Sequence, residues 1–122
     1  MTETINPKLG VVVDDDEDVR RALVRFFQAH EIDAVGFRTG EQFIAFCEEW
    51  QVEWAVVDVH LTGISGFDIA RQLKDRVPPI KIVLMTGNHR PGNAEAAQEA
   101  GAICYLTKPI ASLPDLLALL VG

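Results

Sequence analysis

Five short apolar runs recur along this chain, and each gives way to a stretch with helical spacing. Lys8 to Val13 is rich in β-branched residues and breaks sharply into Asp14-Asp15-Asp16-Glu17-Asp18. From Val19 the apolar residues fall at Val19, Ala22, Leu23, Phe26 and Phe27, the stripe of a helix with one buried face. Ala34 to Phe37 reads as a short strand. Thr39-Gly40-Glu41-Gln42 then reads as a capping box, with Thr39 at the N-cap and Gln42 reaching back. The helix that follows puts Phe43, Phe46, Cys47 and Trp50 on one side. Trp54 to Val57 is continuously apolar and ends at Asp58. A loop containing Gly63 and Gly66 leads into a helix from Phe67 to Arg76, stopped by Pro78-Pro79. Ile80 to Met85 is the next strand and ends at Thr86-Gly87. An alanine-rich helix spans Asn93 to Ala100, with Gly101 as its C′ residue. Ile103 to Leu106 precedes Lys108-Pro109. Ser112 caps a final helix in which Leu113, Leu116, Leu117 and Leu120 form one stripe for the core. Leu119 and Val121 fall off that stripe and are expected to be partly exposed.

Strands that are apolar throughout and alternate with helices predict a parallel sheet covered on both faces. Right-handed crossovers then give an α/β doubly wound fold, with its site at the carboxyl ends of the strands. A chain of 122 residues fits one domain, so residues 1–122 are read as a single unit with a core over about 9–120 and no second domain. Lys plus Arg is 11 against 18 Asp plus Glu, a net charge of −7, which suits a phosphate backbone poorly. Direct nucleic-acid binding by this segment is therefore not expected. No apolar run is long enough to cross a membrane, and residues 1–7 carry no apolar signal segment. Cys47 and Cys104 show no metal-ligand spacing and are read as small buried hydrophobes in a reducing cytosol.

The strand ends carry the chemistry. Asp14, Asp15 and Asp16 follow the first strand, Asp58 the third, Thr86 the fourth and Lys108 the fifth. Several carboxylates brought to one edge repel and raise one another's pKa. A divalent cation is the natural compensation. Mg²⁺ prefers hard oxygen ligands and keeps waters that an incoming phosphate can replace. Taken singly, Asp18 reads as a helix-capping acid, Asp58 as a turn residue and Lys108 as a solvated lysine. Their combination at the ends of the appropriate strands is what points to a site.

Val12-Val13-Asp14-Asp15, Val56-Val57-Asp58 with Gly66 beyond, Val83 to Gly87, and Tyr105-Leu106-Thr107-Lys108-Pro109 together resemble the receiver domain of two-component response regulators. The resemblance runs from about Leu9 to Leu120. It implies a flavodoxin-like sheet of strand order 2-1-3-4-5. It also implies that Asp58 is the phosphoacceptor for a phosphohistidine donor, a sensor histidine kinase or a phosphotransfer protein. Asp15, Asp58 and the backbone carbonyl of His60 would bind Mg²⁺, or Mn²⁺ in its place, with Asp14 acting through a metal-bound water. Lys108 and Thr86 would engage the phosphoryl group. Thr86 and Tyr105 would switch the face made by the fourth helix, fifth strand and fifth helix. That face is expected to self-associate or to dock a C-terminal output domain. His60 and Asn88 occupy positions that tune hydrolysis. Such a domain is no conventional enzyme: it catalyses its own phosphorylation and dephosphorylation, in the cytoplasm. The family also leads one to expect a cis Lys108-Pro109 peptide. Thr62 departs from its usual proline.

The run of three aspartates leaves the register open between Asp14/Asp15 and Asp15/Asp16. The apolar strand ends at Val13, so the first pair is preferred and Asp16 is left free as an N-cap. Other functions fit less well. An aspartate-nucleophile phosphatase needs a second aspartate at position 60, where this chain has His60. An FMN-binding module needs a neutral phosphate loop where this chain is acidic. A receiver-like module that only mediates contacts would not need every active-site position filled.

Overall fold

The computed structural model describes residues 9–121. The readings of the leader-free start, of Lys8 as strand and of the last residue lie outside that range. Strands β1 (Leu9–Val13), β2 (Asp33–Phe37), β3 (Trp54–Asp58), β4 (Lys81–Thr86) and β5 (Cys104–Thr107) alternate with helices α1 (Glu17–Ala29), α2 (Gly40–Cys47), α3 (Gly66–Leu73), α4 (Asn93–Glu99) and α5 (Leu113–Val121). The sheet is parallel throughout, as the alternation predicts, and its order β2-β1-β3-β4-β5 is the one the family resemblance implies. β3 is buried along its whole length and β1 and β4 nearly so, the condition for near-continuous hydrophobic strands.

Alternate strand residues feed two cores. Val11, Val13, Ala55, Val57, Ile82 and Leu84 pack beneath α2, α3 and α4 with Phe43, Ile69 and Leu73. Val12, Trp54, Val56, Val83 and Met85 face α1 and α5, with Phe27, Leu116 and Leu120. Leu113 and Leu117 are half-buried against the second core, and Leu119 is 40% exposed, as their spacing predicts.

Local signals set the helix starts. Thr39 and Gln42 form the expected capping box. Ser112 accepts the Asp115 N–H. Asp16 accepts the N–H groups of Asp18 and Val19 and is the N-cap of α1, the role the sequence left open for it. Ser65 caps α3 through the Asp68 N–H, the same serine-to-acid spacing as Ser112 and Asp115.

The structure corrects several details. α3 ends at Leu73, not Arg76, because the chain turns there and Arg76 N–H donates to Leu73 O. The Arg76 guanidinium instead reaches back 2.6 Å to Cys47 O. α2 stops at Cys47, so Trp50 leaves the buried stripe; it is 59% exposed and stacks on Phe46. Cys47 is buried, and burial pushes its thiol up to about 11, but Cys104 is only half-buried because β5 is an edge strand. Three strands begin one residue away from their predicted starts, at Asp33, Lys81 and Cys104.

Gly10 marks the tightest point of the fold. A Cβ there would lie 1.9 Å from the Trp54 ring, which occupies the space over β1. Gly10→Ala therefore forces the indole out of a filled core, and we expect a loss of about 3 kcal/mol in denaturant unfolding. A change below about 0.5 kcal/mol would contradict this packing.

Candidate functional site

The carboxyl ends of β1, β3, β4 and β5 converge on one edge. Asp14 follows Val13 and is fully buried. Its N–H donates to Phe37 O at 3.1 Å, and its Oδ1 accepts the Asp16 N–H at 2.9 Å. Asp58 closes β3 opposite Met85 and is buried. Its Oδ1 accepts the His60 N–H at 3.0 Å, which folds the loop after β3 back over the carboxylate. Gly66 lets that loop close: a Cβ there would sit 2.5 Å from Asp58 O.

Lys108 joins the two acids. Its backbone N–H donates to Thr86 O at 2.8 Å, and the following peptide to Pro109 is cis, as expected; Val77-Pro78 is also cis. From there the Lys108 ammonium lies 2.7 Å from Asp14 Oδ2 and 3.0 Å from Asp58 Oδ2. Burial pulls the ammonium down, but its bonds to Asp14 and Asp58 outweigh that and hold it above the ordinary lysine value. Asp14 is pushed above the usual carboxylate range, chiefly by burial and further by the charge of Asp58, despite Lys108 and the Asp16 N–H.

Oxygen atoms of Asp14, Asp15 and Asp58 lie within 4.8 Å of one another. Asp15 is exposed and the other two are buried. One ammonium faces three carboxylates, so the cluster keeps an excess of negative charge. Hard oxygen donors at this separation fit a cation such as Mg²⁺.

The remaining expected residues are brought to the rim in different ways. Thr86 is fully buried, and its hydroxyl accepts the Asn88 N–H at 3.1 Å. The side chains of His60 and Asn88 are exposed. Tyr105 is half-buried and is not hydrogen-bonded to Thr86. Its hydroxyl lies 2.9 Å from His89 Nδ1 and accepts the Asn93 amide at 3.0 Å. These two partners were not anticipated, since a loop histidine and a helix-initiating asparagine carry no signal of where an aromatic ring will fall.

A comparison with known proteins fits this geometry. The response regulator receiver domain profile matches residues 11–120. The chain belongs to the response regulator receiver family. It is 30% identical over 99 residues to the heme response regulator HssR of Staphylococcus haemolyticus, covering 81% of this chain and 44% of that protein. HssR of Staphylococcus aureus is 31% identical over the same length. The receiver thus spans under half the length of these curated relatives. Among solved structures, the BeF3-activated DrrB receiver domain superposes with a TM-score of 0.79 at 30% identity, over 93% of this chain and 92% of that one. A Burkholderia pseudomallei response regulator with a phosphorylated aspartic acid and a calcium ion superposes at 0.83 with 28% identity, over 93% of this chain and 66% of that one. Phosphorylation on aspartate is general to the family. Among the described residues, no helix is long and apolar enough to cross a membrane.

The raised Asp14 pKa has a measurable sign. The folded state holds this proton more tightly than the unfolded chain, so no penalty exists well below the ordinary value of 3.8. The penalty develops as pH rises through the folded-state value and is complete above it. Asp14→Asn removes the buried charge while Lys108 keeps Asp58. We expect the metal-free variant to be more stable than the parent at pH 7 by about 1 kcal/mol, with the gain vanishing towards pH 3. A lower melting temperature for the variant at pH 7 would contradict the assignment.

Proposed function

We propose that this receiver takes a phosphoryl group onto Asp58 from the phosphohistidine of a sensor histidine kinase or phosphotransfer protein, in the cytoplasm. The observation that carries this reading is the Asp58 carboxylate at a strand end, 3.0 Å from the Lys108 ammonium and grouped with Asp14 and Asp15. Asp15, Asp58 and the backbone carbonyl of His60 would hold Mg²⁺ or Mn²⁺ directly, and Asp14 through a water. When bound, the ion offsets negative charge on the phosphoryl oxygens.

An Asp58 carboxylate oxygen attacks phosphorus as the bond from phosphorus to the donor imidazole nitrogen breaks. The electron pair of that bond returns to the ring. Lys108 offsets charge on the transferring group, which is most of what a loose phosphoryl transition state requires. The Thr86 hydroxyl already accepts the Asn88 N–H, so its own proton remains to donate to a phosphoryl oxygen. In the reverse of activation, water attacks phosphorus and the bond to Asp58 breaks, releasing inorganic phosphate. His60 and Asn88 stand at the rim where they tune the approach of that water.

The switch follows from the same geometry. Drawing Thr86 towards the phosphoryl group opens space beneath Tyr105, which exchanges its contacts with His89 and Asn93 for an inward position. The surface of α4, β5 and α5 then changes shape. Ile103 is 48% and Leu119 40% exposed there, an apolar complement to the switch residue. This face self-associates as a homodimer or docks a C-terminal output domain, for which the greater length of the curated relatives speaks. Phosphorylation shifts the population of the active form.

Incubation with a small phosphodonor and Mg²⁺ should add one phosphoryl group by mass spectrometry. Asp58→Asn should abolish the adduct, and Lys108→Ala should slow its formation by at least about 100-fold. Persistence of the adduct in Asp58→Asn would overturn the assignment. A beryllofluoride mimic should alter either the sedimentation coefficient or the amide exchange of α4 and α5; no change in either would remove this face from the output mechanism.

A further inference from the structure

Asp15 is the exposed member of the acidic cluster, and among the described residues its carboxylate accepts no hydrogen bond. Its position therefore rests on the backbone that carries it. That backbone is pinned before Asp15 by the Asp14 N–H on Phe37 O and after it by the Asp16 N–H on Asp14 Oδ1. The peptide joining Asp14 to Asp15 has a different anchor. Arg20, one turn into α1, sends its Nη1 back 2.8 Å to Asp14 O.

The path of Arg20 is built into the neighbouring strand. Its stem crosses β2 at Gly36, which pairs with Val12 of β1. A Cβ at position 36 would lie 2.8 Å from Arg20 Cγ and 3.0 Å from Cδ. These are the middle atoms of the side chain, so the stem must shift to admit a methyl group. The missing side chain of Gly36 and the reach of Arg20 form one device.

Resting on the reading of this cluster as a cation site, we infer that Arg20, seated over Gly36, is a positioning residue that orients the Asp14-Asp15 peptide for divalent-cation binding. The guanidinium acts through the Asp14 carbonyl. Groups that orient metal ligands from behind commonly contribute 10- to 100-fold in affinity. A plain charge effect has the opposite sign. Arg20 is a cation beside a cation site, so removing its charge alone would tighten Mg²⁺ binding.

Calorimetric titration of Mg²⁺ into the whole domain separates these cases. Arg20→Met keeps the stem and removes the donor, and should weaken Mg²⁺ binding about tenfold or more. Gly36→Ala keeps the arginine and blocks its path, and should weaken binding similarly. The double variant should be no weaker than Arg20→Met alone, because both changes break one contact. Amide exchange at Asp15 and Asp16 in the metal-free protein should accelerate in each variant. Unchanged or tighter Mg²⁺ binding in Arg20→Met would overturn the inference, as would additive losses in the double variant. If the parent binds Mg²⁺, Asp15→Asn abolishes that binding and Arg20→Met leaves it intact, the cation site stands and the Arg20 role fails. If the parent binds no Mg²⁺, both fail.

Discussion

One ammonium held between two carboxylates organises this molecule. Lys108 meets Asp14 across 94 residues of sequence and Asp58 across 50. Those distances close only because the parallel sheet lines up the carboxyl ends of β1, β3, β4 and β5 on one edge. The Lys108 backbone is tied to the end of β4, and its side chain reaches over that strand to the acids. The ion pairs are partly buried, so each partner depends on the others: a carboxylate stripped of Lys108 would be a buried charge without compensation. Even with Lys108 present, Asp14 sits above the usual carboxylate range because burial works against its charge. The cluster is therefore a place where the fold carries a cost, offset by the two apolar cores behind it.

The division of labour between core and rim follows from the same arrangement. Strand residues such as Val13 and Val57 are locked from both sides, which fixes the carboxylates that follow them. Tyr105, which we propose changes partners, stands outside that rigid layer. Tyr105 lies on the edge strand β5, half-buried, with its hydroxyl engaged by a loop histidine and an asparagine at the start of α4. Its tethers are two hydrogen bonds near the surface, each worth about 1 kcal/mol, which a local rearrangement can exchange.

Much of this was legible from the chain alone. Apolar runs ending in Asp14, Asp58, Thr86 and Lys108 are enough to indicate a parallel sheet and the edge where its polar groups gather, because a buried parallel strand must be apolar and its end must be where polar chemistry resumes; the strand order came from the family resemblance. The capping box at Thr39 is a local signal and holds locally. What sequence could not reveal depended on distant geometry. In Asp14-Asp15-Asp16, three identical side chains receive three fates: one buried, one exposed in the cluster and one used as a cap. Trp50 continues the helical spacing of Phe43 and Cys47, but the helix ends before it, so periodicity alone misplaces it. Cys104 looks as apolar as Cys47, but it lies on an edge strand. Arg20 reads as one more solvated arginine of α1. Its use becomes visible only when β2 brings Gly36 beneath it.

The most direct test of the account is a crystal structure of the domain with Mg²⁺ and beryllofluoride. Beryllium should be bonded to an Asp58 carboxylate oxygen, and Mg²⁺ should lie on Asp15, Asp58 and the His60 carbonyl. Lys108 should leave Asp14 for a fluoride, and the Thr86 hydroxyl should point at another. A structure in which Lys108 still bridges Asp14 and Asp58, with the beryllofluoride bound elsewhere or absent, would contradict it.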